Sequence, residues 1–110
     1  MKLSVVLKAI DEKKAENILV YDFVQLNPSV DKVVICSANN NRQVHAIADN
    51  IKDRLAQHGY RIGHIEGDKA SNWVLVDCGE IVVHVFSYEE RRHYQLEKLY
   101  VGLPCEEVYL

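Results

Sequence analysis

Any chemistry done by this chain must come from its histidines, cysteines and carboxylates, so their spacing decides which reactions are open to it. A catalytic zinc held in an H-x-E…P-C-x-x-C arrangement would use His64 and Glu66 of "HIE" and the cysteine of "PCEE". It would also need a second cysteine three positions after Cys105, where the chain reads C-E-E-V. His45, His58 and His93 have no H-x-x-x-H or C-x-x-C companion and are expected to be solvated. No G-x-S-x-G occurs, and Cys36 and Cys78 sit in apolar runs where a free cysteine acts as a small hydrophobe. Asp77 and Glu80 flank a turn and no D-x-D alternation is present, so paired carboxylates for two-metal chemistry are missing. "CSANNNRQ" places a polar loop at a strand-to-helix junction, where helix-end N–H groups can hold an anion. It lacks the glycines that let a backbone approach a phosphate closely, and helix capping by Asn40 explains the asparagines.

One histidine stands apart. His84 interrupts the second of two apolar runs in "NWVLVDCGEIVVHVF", residues 72–86. "CG" and "GE" both suit a tight hairpin turn, and an even loop pairs residues of opposite parity across it. Val74, Val76 and Cys78 then share a wholly apolar face with Ile81, Val83 and Val85, whereas an odd-length loop would put His84 with Val74 and Val76. The other face carries Trp73, Leu75, Asp77, Val82, His84 and Phe86. A face that mixes aromatics and aliphatics with a carboxylate and an imidazole has the makeup of a protein interface.

The elements that must hold this hairpin are legible from periodicity. Leu3, Val6, Leu7 and Ile10 predict an amphipathic helix over residues 3–15. "ENILVYDF" and "DKVVICSA" predict two strands separated by a loop at Pro28. Asn40 and Gln43 have capping-box spacing ahead of the stripe Val44, Ile47, Ala48, Ile51 and Leu55, and Gly59 stops that helix. "RIGHIEG" is a short strand. Ser87 and Glu90 cap a third helix that runs through Tyr100, with Tyr88, Leu96 and Leu99 as its buried stripe and Arg91 and Arg92 suited to an interface rim. The tail "CEEVYL" is expected to be loosely held. The outcome is an α/β fold: a mixed sheet of about five strands, ending in a C-terminal-half hairpin and covered by helices.

The 110 residues fit one domain, and 48% hydrophobic with 26% charged residues is ordinary for a folded chain. Three widely spaced cysteines give no disulfide framework. The N-terminal segment makes a poor signal peptide, so a cytosolic protein is expected. A formal net charge of −3 favours a basic protein partner over naked nucleic acid.

Three blocks, "VVICSANNNRQVHAIADNI", "HIEG" with "NWVLVDCGEIVVHVF", and "RRHYQLEKLY", resemble the ribosomal silencing factor family, also called Iojap-like. The likeness runs in order from about residue 3 to about residue 101. Its most specific parts are W-V-L-x-D-x-G-[DE]-x-[VI]-V-H-V and R-x-x-Y-x-L-E-x-L. The resemblance implies a single domain over residues 1–110, with a nucleotidyltransferase-like sheet that lacks the enzyme's active site and with no cofactor. It implies a non-enzymatic bacterial cytoplasmic repressor, often a homodimer. This repressor binds the large ribosomal subunit through large-subunit ribosomal protein number fourteen and obstructs joining of the small subunit under starvation or in stationary phase. Matched by motif, the partner-binding positions are Trp73, Asp77, His84 and Phe86 from the hairpin, Tyr94, Leu96, Glu97 and Leu99 from the last helix, and Arg42 from the junction. Leu75 and Val82 complete the hairpin face, and Arg92 its rim. Tyr100 stands where the family commonly has Trp.

Overall fold

The apolar stripes translate directly into layers. In a computed structural model, which describes residues 2–109, helix α1 spans Lys2–Glu12 and buries Val6, Ala9 and Ile10. It stops short of residue 15 because Lys14 turns into the left-handed region (φ 62°), letting Ala15 N–H reach back to the Ile10 carbonyl at 3.1 Å. Strands β1 (Glu16–Asp22) and β2 (Lys32–Ala38) follow, then α2 (Asn41–Gln57), β3 (His64–Glu66), β4 (Trp73–Asp77) and β5 (Ile81–Ser87). Two short helices, α3 (Tyr88–Tyr94) and α4 (Leu96–Leu99), lead to a final strand β6 (Cys105–Val108).

All six strands join one sheet in the order β3-β4-β5-β2-β1-β6, so the expected count of about five is one short. The extra strand is the tail: Cys105–Val108 pairs antiparallel with β1, Tyr21 opposite Cys105 and Ile18 opposite Val108. Two glutamates in four residues hid it, as is common for an edge strand whose outer side faces water. β2 and β5 run parallel in the sheet's middle, Ile35 opposite His84 and Ser37 opposite Phe86. Every other pair is antiparallel, so the sheet is mixed as expected.

On one side, α1 and α2 cover the larger core, which takes in Val34, Cys36, Val74, Val76, Val83 and Val85. The other side has a smaller core of Tyr21, Val33, Ile35, Phe86 and Leu96, roofed by α4 and the turn after it. Tyr100 packs edge-on against Tyr21 and Phe23, with ring centroids 5.2 and 5.3 Å away. This roof covers β1, β2 and part of β5, and leaves the β3–β4 end of the sheet open. No helix among the described residues is long and apolar enough to cross a membrane.

The third helix is not continuous through Tyr100. Gln95 takes φ 50° and ψ 54° and splits it into α3 and α4. As a result Leu96 turns into the smaller core, while Leu99 points away and is 72% exposed.

Candidate functional site

The hairpin turn sets the geometry of the open face. Asp77 pairs with Val82, Cys78 N–H donates to the Ile81 carbonyl at 2.8 Å, and Asp77 Oδ1 accepts from Gly79 N–H at 2.9 Å. Gly79 takes φ 86°, a conformation that costs a side-chain-bearing residue and not glycine. The loop is even, and the register Trp73–Phe86, Leu75–His84 and Asp77–Val82 puts these six residues on one face. Val74, Val76, Cys78, Ile81, Val83 and Val85 are buried on the other.

The six do not all reach the surface. Phe86 is fully buried and serves as the platform on which Trp73 stacks, with centroids 4.9 Å apart. Tyr94 packs against the indole at 4.5 Å and lies 6.5 Å from Phe86, so it adjoins the platform, and it is itself 47% exposed. Trp73 Nε1–H donates to His84 Nδ1 at 3.1 Å. That bond places the imidazole proton on Nε2 and requires a neutral ring. His84 is only 8% exposed, and burial pushes its pKa down to about 4. His84 therefore acts as an acceptor that fixes the indole. Trp73, Leu75, Asp77 and Val82 stay partly exposed, and a depression of about 220 Å³ lies between Trp73, Leu75, Glu66 and Gly67.

The corner between α3 and α4 borders this cluster. Ser87 Oγ accepts from Glu90 N–H at 3.3 Å and starts α3 as expected. Arg91 is not a rim residue. It is 8% exposed and donates from Nη1 to the Asn17 carbonyl (2.6 Å) and to Ser37 Oγ (2.7 Å). Its Nε lies 3.5 Å from Glu97 Oε2. Leu96 lies beneath the surface, Leu99 and Arg92 on it. The sequence pattern put Arg91 on the rim and gave no sign of its pairing with Glu97. Its spacing of six from Glu97 puts the two on different faces of a continuous helix, and only the break at Gln95 brings them together.

The remaining polar residues are accounted for locally. Arg42 is exposed at the first turn of α2, behind the sheet, and does not join the aromatic cluster. Asn40 Oδ1 accepts from Gln43 N–H (2.8 Å), Asn39 N–H donates to Gln43 Oε1 (2.7 Å), and Asn41 Nδ2 donates to the Ser71 carbonyl (2.8 Å). The asparagine run thus caps and staples the junction. His45 Nε2 also lies 3.0 Å from the Ser71 carbonyl, so this histidine is held rather than free in solvent. His64 sits between Glu66 (3.3 Å) and Asp77 (3.7 Å) on the edge strand. Cys36 and Cys78 are buried, and burial pushes both thiols up to about 12, far from a reactive thiolate at neutral pH. Among the described residues no cluster of three His, Cys, Asp or Glu could hold a metal ion.

A family model described as "Ribosomal silencing factor during starvation" matches residues 1–109, so the hairpin and the α3–α4 corner both fall inside it. The chain belongs to the ribosomal silencing factor family. Among curated silencing factors, that of Bacillus subtilis is 41% identical over 106 residues, covering 96% of this chain and 90% of the relative. The chloroplastic protein Iojap of Zea mays is 33% identical over 94 residues, 84% of this chain and 40% of that longer protein. Two crystal structures share the fold of this chain. A Bacillus halodurans protein superposes with TM-score 0.84 at 38% identity, over 96% of each chain. One from Chromobacterium violaceum gives TM-score 0.87 at 28% identity, over 99% of this chain and 91% of its own.

Proposed function

We propose that this silencing factor lowers translation by binding the large ribosomal subunit, through large-subunit ribosomal protein number fourteen, and blocking the small subunit from joining when nutrients run short or growth stops. It acts by occupying space and needs no catalytic step or cofactor. The observation that carries the reading is the Trp73 cluster. A partly exposed indole is held by Phe86, Tyr94 and a neutral His84, at the β3–β4 end of the sheet, which the second layer leaves open. A pre-oriented aromatic loses little side-chain entropy on docking, which is why such residues anchor interfaces. Leu75, Val82 and Leu99 extend the apolar centre, and Asp77, Arg92 and the more distant Arg42 supply charge around it.

Truncating a central aromatic anchor costs ~2 kcal/mol or more, about thirtyfold in affinity. Trp73→Ala is therefore expected to keep its circular dichroism spectrum while its co-sedimentation with purified large subunits falls by that factor. Inhibition of subunit joining should fall in step. Undiminished co-sedimentation by the folded variant sinks the assignment of this face.

A further inference from the structure

We propose that Arg91 and Glu97 form a clasp that positions the docking face, so that Glu97 acts on the partner only through Arg91. The inference rests on the reading that the Trp73 face is where the partner docks. Two departures from regular backbone and one buried strand hydroxyl meet at the clasp. Asn17 has φ 52° where the β1–β2 register shifts, and its carbonyl accepts from Arg91. Gln95 has φ 50° and breaks the helix, which lets Glu97, six residues after Arg91, fold back to it. Ser37, on central strand β2, is fully buried and accepts the second Arg91 bond. The guanidinium thus ties β1, β2, α3 and α4 together.

A buried arginine is a poor way to hold a four-residue helix for stability alone. Desolvating the ion is costly, and an apolar side chain of similar length commonly stabilises such a site as well or better. What the arginine adds is direction, because a planar fork with fixed donors sets both the distance and the angle of the elements it joins. Tyr94 lies one helical turn after Arg91 and contacts Trp73 at 4.5 Å, so the angle of α3 decides where one wall of the indole's slot stands. Leu96, in the smaller core, and Leu99, on the surface, follow from the direction of α4. Glu97 carries one oxygen near Arg91, while its other, Oε1, is buried without a hydrogen-bond partner among the described residues. A carboxylate so placed faces inward, toward the clasp.

Trp73 is the chain's single tryptophan, so its emission reports the face without any partner present. The experiment compares Glu97→Gln, Arg91→Met, Arg91→Lys and the Arg91→Met/Glu97→Gln double variant by thermal melting, Trp73 emission and affinity for purified large subunits, with Trp73→Ala alongside. Expected are folded proteins, a shifted Trp73 emission, and affinity losses on the order of tenfold that do not add in the double variant. Arg91→Lys, which keeps the charge and a donor, should recover part of the affinity. Additive losses mean that Glu97 meets the partner directly and overturn the proposal, as does an unchanged affinity in a folded Glu97→Gln protein. If Arg91→Met does not fold, the Glu97→Gln affinity and emission still decide. Undiminished binding by Trp73→Ala identifies a failure of the docking face itself, separate from the clasp.

Discussion

An indole N–H held against a sheet needs an acceptor, and His84 provides one only while it is neutral. Burial lowers the His84 pKa to about 4, against an ordinary value of 6.5. A histidine with a depressed folded pKa leaves stability untouched above the unfolded pKa. It withdraws stability as pH falls from about 6.5 to about 4, where the unfolded chain binds the proton and the fold does not. Over that window the expected loss from this one residue approaches roughly 3 kcal/mol. Urea unfolding at a series of pH values should show it, and His84→Gln, which can still accept from an indole, should flatten that part of the profile. An equal slope in wild type and variant would place the proton elsewhere. Strand parity put Trp73, His84 and Phe86 on one face, because alternation is a local rule. It did not reveal that Phe86 is fully covered and His84 nearly so, since Tyr94 and α4 arrive from the far end of the chain.

Elements whose ends carry a side-chain signal matched expectation, and those whose ends depend on tertiary contacts did not. Asn40 and Ser87 cap α2 and α3 as read, and Gly59 in the left-handed region closes α2. The break at Gln95 had no such mark, because glutamine is neither Gly nor Pro and takes a positive φ here under the pull of the Arg91 network and the burial of Leu96. β6 was missed for a similar reason: its pairing with β1 supplies the order that its polar sequence does not advertise. The capping reading of the asparagine run is testable by itself. Asn40→Ala should lower stability by about 1 kcal/mol, a drop of several degrees in Tm for a chain of this size. Binding to the large subunit per folded molecule should not change. A larger effect on binding than on melting would give the junction a role in recognition.

At the scale of the whole molecule, the net charge of −3 conceals a division between layers. Residues 2–15 and 40–62, which form α1, α2 and their ends, hold eight of the 13 Lys and Arg residues but only four of the 16 Asp and Glu. The sheet's other strands, α3, α4 and the tail carry most of the acid, including Glu66 and Asp77 beside the aromatic cluster. Composition alone argued against nucleic acid, and only the fold shows that the positive charge gathers on the side away from Trp73. The two sides therefore predict different salt responses. The proposed docking through the Trp73 face would depend on apolar burial with a charged rim, and exposed rim charges are largely screened at physiological salt. Affinity for the large subunit should then fall with a log–log salt slope shallower than about −2. Contact of the α1–α2 layer with ribosomal RNA would release several counterions and give a slope of about −4 or steeper. Co-sedimentation of wild type and Trp73→Ala across a salt series separates the two. A steep slope that survives the Trp73 substitution assigns the binding energy to the helical layer, and a shallow slope whose intercept drops with that substitution assigns it to the face.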